Sequence, residues 1–100
     1  MIKVKFKDYY SFTDSYEKII EGNLPIGVNS VSASYDGGRG YVVVDDKTVL
    51  DDLSAGDYSL TEQGVSISVD RGRFHCSGED FEFKDLSAGN DFNVVLEQIE

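Results

Sequence analysis

Carboxylates are the side chains with the greatest chemical potential in this chain. Its 100 residues include 19 Asp and Glu against 9 Lys and Arg, giving a net charge of −10. One group of acids is opposed by Lys47 alone and consists of Asp45, Asp46, Asp51, Asp52, Asp57 and Glu62. A second group is opposed by Lys84 and consists of Glu79, Asp80, Glu82 and Asp85. Such clusters can coordinate a hard cation, move protons in catalysis, or bind basic groups of a partner.

The net charge is unevenly distributed along the chain. Residues 1–44 contain five acids and five bases, whereas residues 45–100 contain fourteen acids and four bases. A charge difference of this kind predicts a polarised particle, one surface of which can bind something positive.

The spacing of the reactive residues favours neither metal binding nor catalysis. Acids at alternate positions followed by Gly, as in a calcium-binding loop, are absent. His75 and Cys76 are adjacent, so on a strand they point to opposite faces and cannot share a metal. Cys76 falls on the same apolar face as Phe74, with no cation to activate it. We therefore expect no metal site, no cofactor and no enzymatic activity.

A basic protein is the partner that the charge favours. Nucleic acid and anionic membranes are disfavoured, because their phosphates repel a chain of net charge −10. That charge also exceeds the magnitude of about 2–8 that is usual for a small soluble domain. We predict that all ten acids of the two groups contact the partner. The alternative, that the acids only keep the protein soluble, stays open.

The apolar pattern predicts an α+β fold in a single domain over residues 1–100. The i, i+3, i+4 spacing of Tyr16, Ile19 and Ile20 predicts a helix over 12–21. A second helix is predicted over 91–100, with one apolar face formed by Phe92, Val95, Leu96 and Ile99. The remaining segments alternate apolar and polar residues between turn signals, which predicts a mostly antiparallel β-sheet built of hairpins.

Within this sheet, the acids of the second group have a suggestive spacing. A strand over this segment points Asp80 and Glu82 outwards, about 6.8 Å apart, and Phe81 and Phe83 into the core. DNA advances one phosphate per ~3.4 Å along a strand, so alternate carboxylates match two axial steps. The array therefore predicts a surface that can replace nucleic acid in a basic channel.

In size, acidity and compact α+β plan, the chain resembles small acidic phage-encoded anti-defence proteins, the anti-CRISPR and anti-restriction proteins that mimic nucleic acid. The resemblance covers the whole chain but no motif, so no functional residue is carried over. It implies a non-enzymatic inhibitor that blocks a nucleic-acid-binding CRISPR–Cas or restriction effector as a DNA or RNA mimic. Two alternatives stay open: an immunity protein or antitoxin that masks a basic toxin, and an accessory subunit with a merely solubilising surface.

A cytoplasmic location is expected, in the host cytoplasm if the protein is phage-encoded. The single Cys76 forms no intramolecular disulfide, and the longest aliphatic run is Val42-Val43-Val44, far below the ~20 residues of a membrane helix.

Overall fold

The computed structural model of the protein describes residues 1–9, 15–36, 38–52, 56–70, 73–85 and 91–100. In these ranges the backbone forms ten β-strands and no helix. The strands are β1 (Ile2–Asp8), β2 (Tyr16–Ile20), β3 (Ser30–Asp36), β4 (Arg39–Val44), β5 (Lys47–Asp51), β6 (Gly56–Leu60), β7 (Val65–Asp70), β8 (Arg73–Ser77), β9 (Glu82–Asp85) and β10 (Phe92–Gln98). The predicted α+β class is therefore wrong, and the described fold is all-β.

The strands form two antiparallel sheets that pack face to face. The six-stranded sheet has the order β2-β1-β10-β3-β4-β5, and the four-stranded sheet has the order β6-β7-β8-β9. The ring of Phe74 on β8 meets the ring of Phe92 on β10 edge-on, with 5.6 Å between centroids. The Tyr16 hydroxyl on β2 donates a hydrogen bond to Asp85 on β9. These contacts place β8 over β10 and β9 over β2, which is the arrangement of a β-sandwich.

Side chains that alternate along the strands fill the space between the sheets. Ile2, Val4 and Phe6 of β1 are at most 2% exposed, and Val65, Ile67 and Val69 of β7 at most 3%. Phe81 and Phe83 are also buried, as predicted. Both sheets contribute to one apolar cluster. Period-two alternation therefore identified these inward faces correctly.

The predicted helix over 12–21 is wrong. Residues 16–20 form β2, which pairs with β1, while residues 12–14 lie outside the described part of the chain. Tyr16 stacks on Phe6 with 5.2 Å between ring centroids, and Ile20 lies opposite Ile2. Ile19, expected on the buried helical face, is 57% exposed. Five residues fit both the helical and the strand period, and pairing with β1 decides between them.

The predicted helix over 91–100 is also wrong, since β10 occupies most of it. Phe92, Val94 and Leu96 are buried, and Val95 points to the other face. β10 lies in the middle of its sheet, hydrogen-bonded to β1 on one side and to β3 on the other. The adjacent β-branched Val94 and Val95 favour an extended backbone. Partners more than fifty residues away in sequence complete the strand, and local spacing cannot reveal them.

The hydrogen bond between Tyr16 and Asp85 joins an edge of one sheet to an edge of the other, and gives a first prediction. Burial raises the pKa of Tyr16 above its ordinary 10.0, and the hydrogen bond and negative charge of Asp85 raise it further. Replacing Tyr16 by Phe is expected to lower the free energy of unfolding by about 1–2 kcal/mol at neutral pH. Chemical denaturation measures this loss. Tyr41→Phe, at an exposed position, is the control and should change it by less than about 0.5 kcal/mol.

The raised pKa also predicts a pH dependence. The folded state binds the phenolic proton of Tyr16 more tightly than the unfolded state does. The resulting stability is complete below pH 10.0 and is lost as the pH rises towards the pKa of the folded state. Stability of Tyr16→Phe should therefore fall less steeply above this pH. Parallel alkaline slopes for the two proteins would contradict the proposed role of the bond.

Candidate functional site

Four connections lie together at one end of the sandwich. The antiparallel registers place residues 21–29 and 45–46 at the same end of the six-stranded sheet. Residues 61–64 and 78–81 share one end of the four-stranded sheet. Close approaches join these two ends: a Cβ built on Gly64 would lie 3.3 Å from Pro25 Cγ, and one on Gly22 would lie 2.2 Å from the Asp80 carbonyl oxygen. We call these four connections the acidic loop end.

The acidic loop end is named for its charge. Its four connections contain no lysine, arginine or histidine, and their acids are Glu21, Asp45, Asp46, Glu62, Glu79 and Asp80. Like charges at the tips of neighbouring loops produce a negative potential that reaches about 8 Å into physiological salt. This end of the sandwich can therefore attract a cationic surface.

The structure brings five of the ten predicted partner-binding acids into this end and leaves five outside. The five at the acidic loop end are Asp45, Asp46, Glu62, Glu79 and Asp80. Asp51 and Asp52 follow β5 to the opposite end of its sheet, about 17 Å from the 45–46 turn at 3.4 Å per residue. Asp57 is exposed on β6, whereas Glu82 is exposed at the start of β9, next to the 78–81 connection but outside the four connections. The two groups of acids defined along the sequence are therefore not two clusters on the surface of the protein.

Three of the outlying acids already contact polar or charged side chains of this chain. The Arg39 guanidinium lies 2.9 Å from Asp52, and both side chains are exposed. His75 Nε2 lies 3.3 Å from Glu82 Oε2. Asp85 is 9% exposed and accepts the Tyr16 hydrogen bond between the sheets. These contacts explain Asp52, Glu82 and Asp85 within the fold, without a partner.

The predicted array of alternate carboxylates is not formed. β9 begins at Glu82, so Asp80 lies in the preceding connection and does not share a strand face with it. Gly78 donates its N–H to the Phe81 carbonyl at 3.0 Å, which closes a tight turn around Glu79 and Asp80. The predicted strand that carries Asp80 and Glu82 on one face is therefore wrong. Any replacement of nucleic acid would depend on the loop tips.

Asp45 and Asp46 form the turn between β4 and β5, and both have positive φ, 50° and 64°. Because Val44 pairs with Lys47, this is a two-residue hairpin turn of the I′ kind, in which Asp is tolerated. The Asp45 carboxylate accepts hydrogen bonds from the backbone N–H groups of Asn29 and Ser30, at 2.8 and 3.1 Å. Asp45 thus fixes the 21–29 connection, and Asp46 is the exposed acid of the pair.

Substitutions in this turn should separate the two roles. Asp45→Ala removes an acceptor for two backbone donors and is expected to cost about 1–3 kcal/mol of unfolding free energy. Asp46→Gly relieves a positive φ and is expected to be neutral or to stabilise by up to about 1 kcal/mol. Urea denaturation of both variants measures the difference. An equal loss in the two variants would contradict this division of roles.

The thiol of Cys76 is shielded from solvent and from activation. Cys76 is fully buried, and burial raises the pKa of its thiol to about 12, far from a reactive thiolate. Across the described ranges, no cluster of three or more His, Cys, Asp or Glu side chains could hold a metal ion. In the same part of the chain, no helix is long and apolar enough to span a membrane.

The described chain is thus an all-β sandwich with a concentrated acidic loop end. No protein-family model, curated protein or solved structure matches it. One acid of this end, Glu21, was missed by the sequence analysis because it falls at the end of the incorrectly predicted helix. Its position could have been found from the order of the strands. Consecutive antiparallel strands are connected at alternate ends of a sheet, so the connections that follow β1 and β2 lie at opposite ends.

Proposed function

We propose that the protein is a non-enzymatic binding protein whose acidic loop end binds the basic surface of a partner protein. The observation that carries the proposal is the convergence of six acids, with no basic residue, in four neighbouring connections. Long-range attraction increases the association rate, and the loop tips then exclude other ligands from the covered surface.

The partner class that fits best is a nucleic-acid-binding effector of a CRISPR–Cas or restriction system. Such an effector carries a lysine- and arginine-rich surface for phosphates, and the same surface attracts the acidic loop end. Occupying it blocks the nucleic acid without any covalent chemistry. The proposal includes a cytoplasmic location, since these effectors act there; for a phage-encoded protein it would be the host's cytoplasm.

Capture followed by competition tests this function. The tagged protein is used to retain basic proteins from lysate, and each retained protein is purified and assayed with DNA and RNA as competitors. The expected result is a one-to-one complex that nucleic acid displaces and that weakens steeply between 50 and 200 mM salt, by about tenfold or more. Retention of no basic protein, or a complex indifferent to nucleic acid and salt, would overturn the proposal. A toxin nuclease as the retained partner would replace the defence effector by the immunity-protein alternative.

A further inference from the structure

A cleft opens at the acidic loop end between the 21–29 connection and the 78–81 connection. Its volume is about 450 Å³, within the range of ~300–1,000 Å³ for ligand-binding clefts. Its lining residues include the apolar Leu24, Pro25 and Ile26 and the acidic Glu79 and Asp80. None of the described lining residues is basic. The cleft therefore combines an apolar wall with an acidic wall, and the positively charged amino terminus lies 3.5 Å from Oδ1 of Asn23, which also lines it.

Backbone hydrogen bonds hold both walls in place. Val28 donates its N–H to the Pro25 carbonyl at 2.9 Å, and Gly27, between them, has φ 88°. This turn presents Ile26 fully exposed at its tip. Leu24 is 6% exposed, and its N–H donates to the side-chain oxygen of Gln98 at 2.7 Å. The apolar wall is thus pre-organised, which reduces the entropy lost on binding.

The opposite wall is fixed by contact between the two connections. The Gly78 N–H bond to Phe81 closes the turn that carries Glu79 and Asp80. Gly22 approaches the Asp80 carbonyl so closely that no side chain fits between them. The positions of the two walls relative to each other are therefore set by packing rather than by the occupant of the cleft.

We propose that this cleft binds an arginine side chain of the partner. The aliphatic stem lies against Pro25 and Ile26, and the guanidinium is bound by the carboxylates of Glu79 and Asp80. The inference rests on the proposed function and deepens it, because it names the basic group that the partner inserts.

Arginine fits this cleft better than lysine for two reasons. Its planar guanidinium is weakly hydrated and lies readily on apolar surface, whereas the ammonium of lysine is compact and strongly hydrated. Its several N–H donors can bind two adjacent carboxylates at once. A cleft with both an apolar wall and paired carboxylates uses both properties.

The test is an amide NMR titration of the full chain with an end-blocked glycyl-arginyl-glycine peptide. Saturable shifts are expected at residues 23–26, 64 and 78–81. The peptide with citrulline, which is neutral and nearly isosteric, should bind at least about tenfold more weakly, and the lysine peptide should also bind more weakly. No saturable shift, or equal binding of the arginine and citrulline peptides, would overturn the proposal.

Variants localise the binding. Glu79→Gln with Asp80→Asn should abolish the saturable shifts, and Ile26→Ala should weaken binding severalfold. The matched control, Asp46→Asn with Glu62→Gln, removes the same charge at the same end but outside the cleft and should keep them. Equal loss in both double variants would overturn the cleft. If the cleft variants leave partner binding intact while Asp46→Lys with Glu62→Lys weakens partner binding, this inference fails and the proposed function stands. If neither double variant weakens partner binding, the inference and the proposed function both fail.

Discussion

Replacing Gly22 by alanine is expected to lower the free energy of unfolding by about 2–6 kcal/mol. Gly22 has φ 116°, a backbone conformation that costs other residues about 1–3 kcal/mol. Its Cβ would also lie 2.2 Å from the Asp80 carbonyl oxygen and 2.7 Å from Phe81 Cβ, so one connection must move. Overpacking of this kind typically adds about 1–3 kcal/mol. Thermal and urea denaturation of the purified variant measure the sum.

Gly27→Ala is the matched control for this effect. Gly27 also has a positive φ, 88°, but a Cβ there would meet no atom within 4 Å. Its expected cost is that of the backbone alone, about 1–2 kcal/mol. If Gly22→Ala costs no more than Gly27→Ala, the close approach between the 21–29 and 78–81 connections does not exist in solution.

Phe92→Ala is expected to cost about 3–5 kcal/mol, because the buried ring of Phe92 packs between the two sheets. It stacks on Phe6 and on Tyr35 within its own sheet, with centroid distances of 6.0 and 6.5 Å. It also meets Phe74 of the other sheet edge-on and is 1% exposed. Removing the ring opens a cavity whose walls belong to two sheets and cannot collapse together. Urea denaturation measures this cost.

A pair of neighbouring valines controls for the strand assignment of β10. Val94 is fully buried and should lose about 2–3 kcal/mol on replacement by alanine, whereas half-buried Val95 should lose less than about 1 kcal/mol. A helix over 91–100 would reverse the order, because its apolar face holds Val95. A larger loss at Val95 than at Val94 would therefore contradict the central strand.

Most strands could be predicted from the sequence, but β2 and β10 could not. Val65, Ile67 and Val69 alternate with polar residues, a period of two that fits a strand and not a helix. The segments around Tyr16 and Phe92 fit two periods equally well. Pairing with the preceding β1 and contact with the distant β9 decide for β2, whereas β10 is decided by pairing with β1 and β3, both far away in sequence. Tertiary pairing overrides a local pattern that is ambiguous in itself.

The site was predictable in composition but not in position. Both groups of acids were visible, and five of their members do share one end of the sandwich. Their separation from Asp51 and Asp57 depends on which way each hairpin runs, and the closeness of residues 62 and 79–80 to residue 21 depends on how the two sheets stack. Asp85 lies between the sheets because Tyr16 donates to it, a contact across 69 residues that no local pattern contains.

Matched charge reversal tests the central claim most directly. One variant carries Glu62→Lys, Glu79→Lys and Asp80→Lys at the acidic loop end; the other carries Asp36→Lys, Asp51→Lys and Asp57→Lys elsewhere, all six positions being exposed. Both change the net charge equally, so a difference in binding to the captured basic partner reports position alone. The account predicts a loss of affinity of about 100-fold or more for the first variant, partly through slower association, and less than about fivefold for the second. Equal losses in the two variants, or a larger loss in the second, would contradict it.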